Sequence, residues 1–140
     1  MSANPEWRKL AVANQLAANA LLRSGFMDRH LPAASRNYYA LYQAIIAELQ
    51  QSPADYAALW VDSKEDKTRK IPHKQLQANV MRLRSRGYSQ RDAELIKETL
   101  TALSESRVCA DYGTEPLKQG DVESEHEELK TVLQLLRVIA

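Results

Sequence analysis

Glycine and cysteine are scarce in this chain, and long hydrophobic runs are absent. Four Gly and five Pro among 140 residues are too few for a turn-rich β-sandwich, a collagen or a Gly-rich phosphate loop. A single cysteine, Cys109, excludes an internal disulfide framework and a Cys-rich zinc site. Three scattered histidines have no metal-ligand spacing, so neither a metal nor a cofactor is expected. No apolar stretch approaches the ~18 residues of a membrane span. The opening MSANPEWRKL lacks the apolar core of a signal peptide. The expected setting is therefore the reducing cytoplasm, without a membrane partner. The net charge of +1 removes any global polyelectrolyte signal.

What remains is a chain that is 44% hydrophobic and 26% charged, a composition that folds. No segment alternates with period two, and 3/4 spacing dominates. The expectation is one all-α domain over residues 1–140, a four- to five-helix up-and-down bundle. The first helix starts after Asn4-Pro5 and stops at Gly25, burying Trp7, Leu10, Ala17 and Leu21, with Asn14 interrupting that face. The second runs from about Pro32 to Gln51 with Tyr38, Tyr42, Ile45 and Leu49 in one stripe, widened by Tyr39 and Ile46. Ser52-Pro53-Ala54-Asp55 begins a short apolar turn. VDSKEDKTRK has seven charges in ten residues and reads as a mobile loop at about 61–71. The third helix runs from Pro72 to Gly87 on a seam of His73, Leu76, Val80 and Leu83. The fourth is capped by Ser89 and continues to about Ala110. The fifth starts at Asp121 or Ser124 and carries Leu129, Val132, Leu133 and Leu136. His30 and His126 are expected at the surface.

One residue breaks the pattern more informatively than any other. Ala93, Ile96, Leu100 and Leu103 step by three and four, and the next step lands on Arg107. An arginine on an apolar seam points to the core, an interface or a cleft, where it needs an anion. Asp111 at i+4 supplies a structural one; a ligand phosphate is the functional alternative. Arg36, Tyr39 and Gln43 share a face of the second helix and are candidates to line the same cleft. Residues 61–91 hold nine Lys and Arg against three acids, a net +6, whereas 111–128 stand at −6. The basic half, Arg82 included, suits RNA phosphates. It also suits the acidic segment of the same chain or of a partner.

Several blocks, in order, resemble one family. AASRNYYALYQAIIAEL resembles the Ser-Arg-x-Tyr-Tyr-Ala helix of small prokaryotic HEPN proteins. It follows Leu21-Leu22-Arg23-Ser24-Gly25, similar to their Leu-Leu-x-x-Gly. PHKQLQANVMRLRSRG resembles their helix that opens on a His, here His73. LSESRVCADY resembles their Leu-x-x-x-Arg-x-x-Ala-Asp-Tyr, matching Arg107, Ala110, Asp111 and Tyr112. The resemblance spans almost the whole chain. It implies a HEPN-type helical bundle and a homodimer that binds RNA or a nucleotide, in a toxin–antitoxin or phage-defence setting with a cognate antitoxin or operon partner. In the nucleolytic members a metal-independent endoribonuclease site pairs such an Arg with a His after four to six intervening residues. Here Tyr112 stands where that His belongs, and Gln43 replaces a second His common in the family. A phenol near pKa 10 is a poorer base than imidazole, so cleavage is expected to be weak or lost. The candidate site is Arg107 and Tyr112, with Asp111, Arg36, Tyr39, Gln43, His73 and Arg82 binding. The rival reading is a protein-interaction module in which Arg107–Asp111 is purely structural.

Overall fold

A computed structural model describes residues 6–62, 69–113 and 115–140. Among them are six α-helices: α1 (Trp7–Arg23), α2 (His30–Leu49), α3 (Pro53–Leu59), α4 (His73–Asn79), α5 (Gln90–Tyr112) and α6 (Gln119–Leu135). The chain is an all-α bundle. Its centre is α2, where eleven of 20 residues are buried and which contacts α1, α5 and α6. Tyr38, Leu41, Ile45, Ile46 and Leu49 are fully enclosed there. At ~25 cal/mol per Å² of apolar surface, each such side chain contributes roughly 1.5–3 kcal/mol relative to exposure. The sequence expectation of a wide, multiply covered second helix holds, although the helix begins earlier, at His30.

Cap chemistry sets the boundaries as expected at two places. The Ser52 and Ser89 side chains accept from the backbone N–H groups of Asp55 and Asp92, at 3.5 and 3.0 Å. Leu129, Val132, Leu133 and Leu136 are buried as the periodicity implied, but α6 starts before Asp121, at Gln119.

Other expectations need correction. On α1 the buried residues are Ala11, Gln15 and Ala18, a face turned by one residue from the Trp7–Leu10–Ala17–Leu21 stripe. Leu10 is 41% exposed and Leu16 57%. Small side chains let α1 lie close along α2, and that close approach outweighs burial of the leucines. The helix ends at Arg23, with extended Ser24 as its cap, so Gly25 is not the stop. The proposed start at Asn4-Pro5 lies outside the described residues.

The third expected helix is two pieces. Leu76, Val80 and Leu83 are buried as foreseen, but α4 tightens into a 3₁₀ segment, Val80–Arg86. Asn79 explains the change. Its side chain donates to Gln75 O at 2.7 Å and accepts from Arg82 Nε at 2.6 Å, competing with the backbone ladder. A 3₁₀ segment eclipses i and i+3, which suits the Val80–Leu83 spacing. Gly87 closes the segment at φ +98°, a conformation open to glycine.

Nor is the chain free of strands. Two-residue strands β1 (Val61–Asp62) and β2 (Arg69–Lys70) pair antiparallel. The part of the expected mobile loop at 63–68 lies outside the described residues. Its end is anchored, since Ile71 is buried and its carbonyl accepts from the Tyr42 hydroxyl at 2.6 Å. His126, expected at the surface, is 3% exposed, with Nδ1 2.7 Å from Asn37 Oδ1.

Candidate functional site

Three α2 tyrosines build the floor of the site. Successive aromatic positions 38, 39 and 42 cover adjoining sectors of a helix, and their rings meet at centroid distances of 5.2–5.9 Å. The Tyr42–Ile71 hydrogen bond draws the start of α4 onto this floor. His73 therefore lies against all three rings, 5.3 Å from Tyr38 and Tyr42 and 6.0 Å from Tyr39. The Tyr38 hydroxyl hydrogen-bonds to His73 Nδ1.

Arg107 arrives from α5. Its side chain is 16% exposed, and its guanidinium carbon stands 5.1 Å from the Tyr38 ring centre and 5.7 Å from that of Tyr39. These are cation–π distances. The helix persists to Asp111, so the i+4 pair forms, with Nη1 3.3 Å from Asp111 Oδ2. That contact is long and, among the described residues, single where a carboxylate offers a two-pronged partner. Arg107 Nε is buried without a hydrogen-bond partner among the described residues. The guanidinium thus keeps unspent donor capacity in a sheltered place.

Electrostatics follow from this packing. Burial, with the Arg107 charge in second place, holds the His73 pKa below its ordinary value. The imidazole is neutral at pH 7. Burial raises the Tyr38 phenol well above the usual value against the opposing pull of Arg107. Burial and then Tyr39 push Tyr42 up to about 12. Tyr38 therefore keeps its proton, and its hydroxyl and His73 Nδ1 share one hydrogen bond.

The structure brings together Arg107, Asp111, Tyr39 and His73 from the sequence candidates. Arg36 and Gln43 belong to a neighbouring network. Arg36 Nη1 donates to Asn14 Oδ1 at 3.0 Å, and the Asn14 and Gln43 amides are 2.7 Å apart. Asn14, which interrupts the apolar pattern of α1, is the hub of that network. Arg82 is elsewhere: it pairs with Asp55 at 3.1 Å and pins the N-terminal turn of α3. Tyr112 is 71% exposed and, five residues past Arg107, is turned roughly 140° away around α5.

Tyr38 is the residue that sequence reasoning missed, because its place in the apolar stripe reads as core. The available signal was that Arg107 and His73 each break a seam and both need a polar or π partner. Comparison of the chain with protein-family models, with curated proteins and with solved structures found no match.

Proposed function

We propose that this chain is a HEPN-type RNA-binding domain, acting as a homodimer, in which Arg107 engages an RNA phosphate. The observation that carries the reading is Arg107 itself. It is mostly buried against two tyrosine faces and, among the described residues, is held by one long contact to Asp111 and has no partner for Nε. A preorganised guanidinium fork in low dielectric is well suited to phosphate. The half-buried Tyr39 ring, on the Arg36 side of the cluster, supplies an aromatic surface for an unstacked base. Support for a second copy comes from α1, where exposed Leu16 adjoins Val12 and Ala13 in an apolar patch that is open among the described residues. A toxin–antitoxin or defence setting, with a cognate partner, belongs to this proposal.

The test is binding of a fluorescent single-stranded RNA by wild type and Arg107→Ala over a salt series. Arg107→Ala is expected to weaken binding at least tenfold, as loss of a charged hydrogen bond does, and to flatten the salt dependence. Indistinguishable curves for a folded variant overturn the reading.

One observation favours a second reading, residual metal-independent cleavage. The Tyr38–His73 hydrogen bond sets an imidazole beside the arginine, whereas Tyr112 faces outward. His73 is then the acid–base group in place of the missing motif His, with Arg107 stabilising phosphorane charge. Cleavage in the presence of chelator, lost in both Arg107→Ala and His73→Gln, is the expected result. Cleavage that survives His73→Gln refutes it.

A further inference from the structure

The opposite end of the bundle carries a feature that the RNA reading does not use. Helix α6 closes with paired hydrogen bonds, Arg137 N–H to Gln134 O at 3.0 Å and Val138 N–H to Leu133 O at 2.9 Å. This is the Schellman arrangement, whose left-handed position normally holds glycine. Here Arg137 occupies it at φ +57°, a region that costs a side-chain-bearing residue. An unfavourable residue kept at such a place directs attention to its side chain.

Arg137 lines a cleft of about 420 Å³ together with Arg8, Glu48, Arg86 and Asp92. Five elements meet there: the start of α1, the end of α2, the end of the 3₁₀ segment, the start of α5 and the end of α6. Arg8 Nη2 donates to Arg137 O at 2.7 Å. Arg86 donates through Nη2 to Gln51 at 2.9 Å. Its buried Nε makes no hydrogen bond among the described residues and lies 3.8 Å from Glu48. The cleft is therefore lined by three arginines and two acids. From Asp92 to Arg107, α5 rises roughly 22 Å at 1.5 Å per residue, so this cleft and the tyrosine floor are separate places.

We infer that the cleft binds a small hydroxylated phosphate ester of the size of a pentose phosphate. The guanidiniums suit the phosphate. Glu48 and Asp92 are acceptors for the sugar hydroxyls, which a bare anion does not provide. The volume lies in the range of small-molecule sites.

Calorimetric titration of the full chain with ribose 5-phosphate, inorganic phosphate and ribose tests this. Ribose 5-phosphate is expected to bind saturably at submillimolar concentration and ribose not at all. Arg137→Gly is expected to weaken that binding at least tenfold while melting at the same or a higher temperature, because glycine relieves the left-handed backbone. Arg137→Asn, which also tolerates that conformation, should lose binding equally. Absence of saturable ribose 5-phosphate binding overturns the inference. So does unchanged binding by Arg137→Gly, or a lower melting temperature, which marks Arg137 as structural. Inorganic phosphate binding as tightly as ribose 5-phosphate overturns the hydroxyl contacts. Arg107→Ala should bind ribose 5-phosphate as wild type does, so this inference and the RNA proposal fail independently.

Discussion

Two substitutions at Arg107 separate a binding arginine from a structural one. Arg107→Ala removes cation–π contacts to Tyr38 and Tyr39 at 5.1 and 5.7 Å. Such contacts are worth ~0.5–1 kcal/mol when exposed and about 2 kcal/mol when desolvated. With the side chain only 16% exposed, the pair together is worth roughly 2 kcal/mol, since two rings share one cation. The Asp111 pair adds ~0.3–0.5 kcal/mol, typical of an i,i+4 pair with a partly exposed acid. The alanine variant should thus lose roughly 2–3 kcal/mol. For a domain of this size that lowers the melting temperature by about 10 °C.

Arg107→Met restores the aliphatic volume and offers sulfur–aromatic contacts of ~0.3–1.5 kcal/mol. It also removes the cost of desolvating a guanidinium. Asp111, whose side chain is 37% exposed, loses only a weak i,i+4 partner, so Arg107→Met should melt within about 1 kcal/mol of wild type. Both variants should show a higher His73 pKa by NMR titration, because burial and then the Arg107 charge depress it and the second of these is gone. Met and Ala variants that are equally destabilised would refute the reasoning. The charge would then be stabilising the fold, as the interaction-module reading requires.

Stability should decline as pH falls below 6.5. His73 and His126 both have lowered pKa values in the folded chain, each chiefly through burial. The unfolded chain then binds more protons across the window between the folded values and 6.5. Each histidine weakens folding by at most about 1.4 kcal/mol per pH unit there. Glu125, raised by burial, acts in the opposite sense over a window that runs upward from 4.5. Urea melts at pH 5.5 and 7.5 that coincide would contradict this. Arg82→Ala should cost about 1–2 kcal/mol, because Asp55, 7% exposed, loses its cationic partner while Ser85 remains at 3.3 Å. RNA binding by that variant should match wild type; a tenfold loss would restore Arg82 to the binding surface.

Periodicity made the core legible where one face is apolar and the ends are capped. Leu76, Val80 and Leu83, the α2 stripe, and the Ser52 and Ser89 caps all follow from local chemistry. It failed on α1 because the choice between Ala11–Ala18 and Leu10–Ala17 depends on how closely α2 approaches, a tertiary distance that no spacing encodes. It failed at Val80 because the switch from α to 3₁₀ geometry rests on one asparagine side chain. His126 was misplaced because a lone histidine among five nearby acids resembles a solvent-facing residue until Asn37, 89 positions away, supplies its partner.

The same contrast governs the candidate site. Arg107 was legible because an arginine on an apolar seam must find compensation, and its i+4 acid lies within the same helix. Tyr38 was not, since a tyrosine in a hydrophobic stripe satisfies every rule for a core residue. Its hydroxyl has meaning only once Ile71 is tied to Tyr42 and His73 is thereby carried onto the same floor. The site is thus assembled by a contact that is itself structural. Tyr42→Phe tests that dependence. It deletes one buried hydroxyl while keeping the ring, and the unpaired Ile71 carbonyl should cost roughly 1–3 kcal/mol. It should also free the start of α4, so that the His73 pKa moves toward 6.5 as burial is lost. A His73 titration unchanged in Tyr42→Phe would mean that some other contact positions the imidazole.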